Sequence, residues 1–126
     1  MVQNRKNLTI SSFMSIILFV SEEDIVMRET KVEGHLTKES EKRGILCYKF
    51  VSPQHNGVPD RLLIGYGLTV YVETKAPGKV PRALQEYQHK ILRAHGAKVY
   101  VLDTIEKVDE FFSGPNPFSK FLTKQQ

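Results

Sequence analysis

The first regular pattern of apolar and polar positions lies in a stretch that is mostly charged. Residues 29–43 are polar except at spaced positions, among which Val32 and Leu36 lie one helical turn apart. This spacing predicts an amphipathic helix with a thin buried stripe. Gly44 follows as the residue that ends the helix.

Three apolar segments after this helix are rich in β-branched and aromatic side chains, which is typical of strands. They are residues 45–51, 61–66 and 68–74. The short gap between the last two predicts a hairpin that turns at Tyr66 and Gly67, although this turn lacks the favoured Asn-Gly pair.

The second half of the chain returns to helical spacing. We predict a helix that begins at Pro81 and ends before Gly96, then a strand over 97–102. A short helix follows, with Asp103 and Glu106 in the spacing of a capping box. The remainder, rich in Pro, Gly and Ser, predicts a loosely attached end in which Phe118 and Phe121 are the side chains able to dock.

The order of elements is therefore α-β-β-β-α-β-α. A strand, a crossover helix and a further strand form a right-handed unit, so the strand from Lys98 should run parallel to the strand that carries Glu73. The predicted fold class is α/β (mixed α+β), a small mixed sheet flanked by helices. The length of 126 residues fits one domain. We assign that domain to residues 27–113, with a C-terminal tail over 114–126.

The N-terminal segment imitates the start of a signal peptide, because basic residues precede an apolar stretch. That stretch is too short to span a membrane, and the sequence SEED follows it without a small-residue cleavage pattern. We interpret residues 1–26 as a leader or an extra segment, and we expect no association with a membrane.

Charge and cysteine content narrow the class of partner and the compartment. The formal net charge of +4 favours a polyanionic partner. Cys47 is the single cysteine, which excludes an internal disulfide and a multi-cysteine zinc site. A reducing, cytoplasmic setting is the expectation that follows.

Three charges converge in the predicted hairpin. A turn at Tyr66 and Gly67 places Asp60 directly opposite Glu73, and alternation places Lys75 on the face of Glu73. Two carboxylates at this distance raise each other's pKa unless a cation lies nearby. That cation is either the Lys75 ammonium, in a structural ion-pair cluster, or a divalent metal such as Mg²⁺, which takes one or two carboxylates together with water.

These residues also carry a resemblance. Pro59 and Asp60 followed by the ETK segment at 73–75 resemble the PD-(D/E)xK nuclease signature. The blocks GVPDRLL, VYVETKAPG and RALQEYQHKILRAHG together resemble the VRR-NUC family, including its stand-alone phage and bacterial members. The likeness covers residues 29–102 and implies a restriction endonuclease-like fold.

The resemblance also implies a role for each matching residue. Asp60 and Glu73 would bind Mg²⁺ (or Mn²⁺), the Thr74 backbone carbonyl would add a ligand, and Lys75 would orient the attacking water. Glu33 on the first helix matches the acidic residue that reaches the site directly or through water. Glu29 lies one turn earlier, faces a similar direction and remains an alternative.

Further residues are assigned around this centre. Gln85 matches the glutamine that lies beside the catalytic lysine, with Gln88 as its competitor, and His89 lies one turn beyond Gln85. Gly57 and Gly78 are interpreted as serving loop geometry. The positions expected to contact DNA phosphates are Lys49, Arg61, Lys79, Arg82, Lys90 and Arg93.

The function that follows is an Mg²⁺- or Mn²⁺-dependent endodeoxyribonuclease. The resemblance implies a homodimer in a bacterial or phage-infected cell that acts on branched DNA such as four-way (Holliday) junctions. A less selective nickase or flap nuclease is the alternative within the same class. Two other classes remain: a DNA-binding module with a degenerate site, and a structural domain whose charges only pair.

Overall fold

The computed structural model describes residues 21–122, which form one sheet and four helices. The helices are α1 Glu22–Lys42, α2 Ala83–Ala94, α3 Ile105–Ser113 and α4 Ser119–Leu122. The strands are β1 Leu46–Lys49, β2 Arg61–Gly65, β3 Leu68–Thr74 and β4 Lys98–Leu102. This order confirms the predicted mixed α+β class and adds only the short helix α4. No helix between residues 21 and 122 has both the length and the apolar character to cross a bilayer.

The sheet has the strand order β1-β2-β3-β4. The first three strands are antiparallel, and β4 runs parallel to β3 after the crossover through α2, as predicted. In the hairpin Leu62 lies opposite Tyr71, and Gly65 lies opposite Leu68. The predicted register is therefore confirmed, and its continuation by one residue brings Asp60 opposite Glu73.

In the hairpin turn, Tyr66 occupies a position at which asparagine is usually favoured. Tyr66 and Gly67 both have positive φ, at 53° and 79°, as a type I′ turn requires. Tertiary contacts hold Tyr66 in this conformation: its hydroxyl donates to the Arg43 carbonyl at 2.6 Å, and its ring stacks on Phe121 at 5.2 Å. The turn is thus fixed from outside the hairpin.

Helix α1 begins seven residues before the predicted start at residue 29. Ser21 is the N-cap, and its side chain accepts a hydrogen bond from the Asp24 N–H. Acidic residues in the first turn add a favourable interaction with the helix dipole. Residues 22–26 of the predicted leader therefore form the start of α1. Residues 1–20 of that segment lie outside the described residues.

One face of the sheet carries the core, against α1, α3 and α4. Its buried side chains include Val32 and Leu36 of α1, the stripe predicted for this helix. Phe118 is fully buried in the same cluster. The segment is therefore attached to the core as far as Leu122, and Phe118 docks there as one of the two side chains predicted to be able to do so.

Two helix starts differ from the sequence prediction. Helix α2 begins at Ala83 with Arg82 as its N-cap residue, since the Gln85 side chain accepts a hydrogen bond from the Arg82 N–H at 2.8 Å. Pro81 therefore precedes the helix. Helix α3 has Thr104 as its N-cap instead of Asp103, and the Thr104 hydroxyl accepts from the Lys107 N–H at 2.9 Å.

The two faces of β3 meet different helices. Val70 and Val72 lie in the core with α1, whereas Glu73, the residue after Val72, contacts Gln85 of α2. Because successive side chains of a strand point to opposite faces, α1 and α2 approach the end of β3 from opposite sides of the sheet. The charged residues lie between these two helices.

Candidate active site

Asp60 lies between the buried Pro59 and the first residue of β2. Its Oδ1 accepts a hydrogen bond from the Thr74 N–H at 3.0 Å, and its Oδ2 accepts one from the Thr74 hydroxyl at 2.8 Å. Burial raises the pKa of Asp60, while the two hydrogen bonds from Thr74 oppose that rise. The carboxylate is thus fixed by the residue next to Glu73.

Glu73 is the most strongly perturbed acid at this end of the sheet. Only 4% of it is exposed, and its Oε2 accepts a hydrogen bond from Gln85 Nε2 at 3.1 Å. The Lys75 ammonium lies 3.4 Å from the same oxygen. Burial, followed by the charge of Asp60, raises the pKa of Glu73 to about 7, and Lys75 acts in the opposite direction. The structure therefore brings the three predicted charges together.

The two candidate acids of α1 have different partners. Glu33 accepts a hydrogen bond from the Arg61 guanidinium at 2.8 Å, and both side chains are mostly buried. For Glu29, burial raises the pKa, the positive charge of Lys75 lowers it, and the negative charge of Asp60 raises it. Glu29 thus responds to the central charges, while Glu33 pairs with Arg61 of β2 and its negative charge raises the pKa of Asp60.

On the opposite face, the structure distinguishes the two candidate glutamines of α2. Gln85, rather than Gln88, donates to Glu73. His89, one turn further along, is 2% exposed, and its Nε2 lies 3.9 Å from Glu73 Oε1. Burial and the positive charges of Arg93 and Lys75 lower the pKa of His89. The sequence indicates this contact through the spacing of four residues between Gln85 and His89, which places both side chains on one face of the helix.

The residues predicted to contact DNA divide into two groups. Arg61 is paired with Glu33, and Arg93 donates to the Val99 carbonyl at 2.8 Å. The other four are exposed: Lys49, Lys79, Arg82 and Lys90. Among the six predicted residues, only these four present their positive charge to solvent. Within the described part of the chain, they have no side-chain ion pair or hydrogen bond that would have to break before they could contact a phosphate.

Gly57 lies in the loop before Asp60 and packs closely against the first turn of α2. Its φ is +92°, and a Cβ atom on it would lie 2.8 Å from the Leu84 carbonyl oxygen and 3.1 Å from the Gln85 nitrogen. This close approach requires glycine. Gly78 has a φ of +79°, and a Cβ atom on it would meet nothing within 4 Å, so it serves loop geometry, as predicted for both glycines.

The donor set fits a divalent cation with oxygen ligands. Between residues 21 and 122, no three His, Cys, Asp or Glu side chains form a ready-made metal cluster. Two carboxylates, those of Asp60 and Glu73, are close together, and Glu73 Oε1 is buried without a hydrogen-bond partner. Mg²⁺ commonly uses one or two carboxylates and keeps several waters, so these residues fit it.

The fold has the organisation of a restriction endonuclease-like domain, as the resemblance implied. No protein-family profile matches the chain. A curated relative, "Putative nuclease p44" of Acyrthosiphon pisum secondary endosymbiont phage 1, is 46% identical over 80 residues, covering 63% of this chain and 86% of the relative. A solved structure of a VRR_NUC domain is 27% identical with a TM-score of 0.64, covering 68% of this chain and 95% of that domain. The chain belongs to the VRR-NUC nuclease family.

Proposed function

We propose that this protein is an Mg²⁺- or Mn²⁺-dependent endodeoxyribonuclease that hydrolyses phosphodiester bonds in branched DNA. The observation that carries the proposal is the group formed by the half-buried Asp60 and the buried Glu73 and Lys75 at the end of the hairpin. A purely structural ion-pair cluster would not require a buried and a half-buried carboxylate for a single ammonium. Membership of a nuclease family supports the same conclusion.

Each residue has a task in this proposal. Asp60, Glu73 and the Thr74 backbone carbonyl would hold the cation. The bound cation would supply an activated water and stabilise charge on the leaving oxygen. Lys75 orients that water and offsets the negative charge of the phosphate, while Gln85 holds the Glu73 carboxylate through Oε2.

The acidic contribution from α1 comes from Glu29 or Glu33. The hydrogen bond from Arg61 fixes Glu33, whereas Glu29 is influenced by both Lys75 and Asp60. This difference favours Glu29 as the acid that reaches the cation directly or through water. Glu33 then orders the neighbouring arginine.

The substrate class follows from charge and from the family. Exposed basic side chains near the site suit phosphate contacts, which carry no base information of their own. DNA shape is therefore the proposed determinant of selectivity. A homodimer with two sites related by a two-fold axis would suit a four-way junction, in which two strands must be cut.

The decisive experiment compares labelled four-way junction, flap and linear duplex DNA with Mg²⁺, Mn²⁺ or chelator. We expect the wild-type protein to cut the junction in either metal and none of the substrates in chelator. Asp60→Ala and Lys75→Ala should abolish cleavage, while Lys38→Ala, which removes an exposed lysine of α1, should not.

The same assay separates the alternatives. Equal cleavage of all three substrates would indicate a less selective nickase or flap nuclease, and binding without cleavage would indicate a DNA-binding module. Cleavage by Asp60→Ala would contradict the metal assignment. A mass measurement in solution, with and without junction DNA, tests the homodimer.

A further inference from the structure

Helix α2 directs two side chains at one carboxylate. Gln85 and His89 are four residues apart and therefore lie on the same helix face. Gln85 Nε2 is 3.1 Å from Glu73 Oε2, and His89 Nε2 is 3.9 Å from Glu73 Oε1. One helix thus presents one nitrogen to each oxygen of Glu73, but only the first contact is a hydrogen bond.

The second contact joins two buried atoms that have no other partner. Glu73 Oε1 and His89 Nε2 are both buried and lack a hydrogen-bond partner among the described residues. Buried polar atoms in proteins are nearly always paired. One of these atoms is an acceptor and the other can donate, so a movement of about 1 Å would complete a hydrogen bond between them.

We propose that His89 is a positioning residue whose Nε2–H donates to Glu73 Oε1, so that His89 and Gln85 together fix this carboxylate for the divalent cation. This inference rests on the metal-dependent nuclease function proposed above. Metal-ligating carboxylates are commonly oriented by hydrogen bonds from residues that do not touch the metal. His89 would act in this way from the helix that already supplies Gln85.

A neutral donor suits this task better than a second cation. The proposed donor is therefore the Nε2–H of a neutral imidazole, buried at 2% exposure. A neutral N–H orients the carboxylate without cancelling the negative charge that attracts a metal. Lys75 already supplies positive charge at the other oxygen, 3.4 Å from Oε2.

The competing explanation is that His89 only fills space beneath α2. In that case an apolar side chain of similar size would serve equally well. His89→Leu fills the volume without a donor, whereas His89→Gln retains an N–H at a similar reach. This matched pair separates hydrogen bonding from packing.

The test is Mn²⁺ binding to the DNA-free protein, followed by electron paramagnetic resonance and calorimetry. We expect His89→Leu to bind Mn²⁺ roughly ten- to a hundredfold more weakly than the wild-type protein, and His89→Gln to recover most of the affinity. Thermal unfolding in chelator checks that both variants are folded. Equal Mn²⁺ affinity of His89→Leu and wild type, or equal weakening in both variants, would overturn the proposal.

A second measurement does not depend on any substitution. Nitrogen-15 NMR of the wild-type imidazole should show His89 as the neutral Nε2–H tautomer, with its Nε2 resonance shifting on addition of Mg²⁺. A proton on Nδ1 alone would refute the hydrogen bond. If the wild-type protein binds no Mn²⁺, the proposed function fails and this inference falls with it, whereas normal wild-type binding with an unaffected His89→Leu variant removes only the role of His89.

Discussion

Both carboxylate oxygens of Asp60 accept hydrogen bonds from Thr74, at 3.0 Å from the backbone nitrogen and at 2.8 Å from the hydroxyl. The contact joins the segment before β2 to the end of β3 and is made by the residue adjacent to Glu73. A single threonine therefore sets the orientation of one carboxylate relative to the other.

Thr74→Val tests this contact because it preserves side-chain shape and removes only the hydroxyl donor. Thr74 is 1% exposed, so the change leaves Asp60 Oδ2 without its partner in a buried setting. We expect the free energy of unfolding to fall by about 1–3 kcal/mol, measured by urea denaturation in chelator. Thr74→Ser keeps a hydroxyl and should lose less. Equal stability of the valine variant and the wild-type protein would contradict the assignment.

The raised pKa of Glu73 makes the stability of the metal-free protein depend on pH. Its pKa is about 7 in the folded protein against a usual 4.5, so the folded protein binds this proton more tightly than the unfolded chain does. The contribution of Glu73 to the free energy of unfolding is therefore greatest at low pH. It falls as the pH rises from about 4.5 to 7 and is constant above that window.

Glu73→Gln removes this dependence. At pH 8 in chelator we expect the variant to exceed the wild-type free energy of unfolding by up to about 3 kcal/mol, because the wild-type protein must hold a charged carboxylate in a buried position. The difference should shrink as the pH falls to 5, where the wild-type side chain is also neutral. Denaturation at several pH values measures it, and a difference that does not change with pH would refute the raised pKa.

Much of the site was predictable from sequence, because alternation and turn length fix the register of a hairpin. Once the turn lies at Tyr66 and Gly67, Asp60 must lie opposite Glu73, and Lys75 must share the face of Glu73. Periodicity also identified Val32 and Leu36 as the buried stripe of α1. These features depend on local pattern alone.

The features that sequence did not resolve depend on contacts between distant segments. Glu29 and Glu33 share one helix face, and only the position of Arg61 on β2 separates their roles. Phe118 is buried because it packs in the core, and the composition of the surrounding segment does not indicate this contact. The close approach of Gly57 to α2 likewise requires knowledge of two segments that are far apart in the chain.

Gly57→Ala should disturb the site through helix α2. The substitution adds backbone strain at a φ of +92° and brings a Cβ atom to 2.8 Å from the Leu84 carbonyl oxygen, next to Gln85. We expect a loss of roughly 2 kcal/mol or more in the free energy of unfolding, together with weaker Mn²⁺ binding. Gly96→Ala is the matched control, since the φ of Gly96 is +93° and a Cβ atom added there would meet nothing within 4 Å. If both variants bind Mn²⁺ equally well, the contact of Gly57 with α2 does not support the site.

Glu29 and Glu33 should separate when metal affinity and stability are measured on the same variants. Glu33→Gln removes the negative charge from the ion pair with Arg61, so we expect a loss of about 1 kcal/mol in stability and a small change in Mn²⁺ affinity. Glu29→Gln removes the acid that is influenced by Lys75 and Asp60, so Mn²⁺ binding should weaken more while stability is preserved. Arg61→Ala, combined with Glu33→Gln in a double-mutant cycle, isolates the pair. The reverse order of metal affinities would assign the cation-directed role to Glu33.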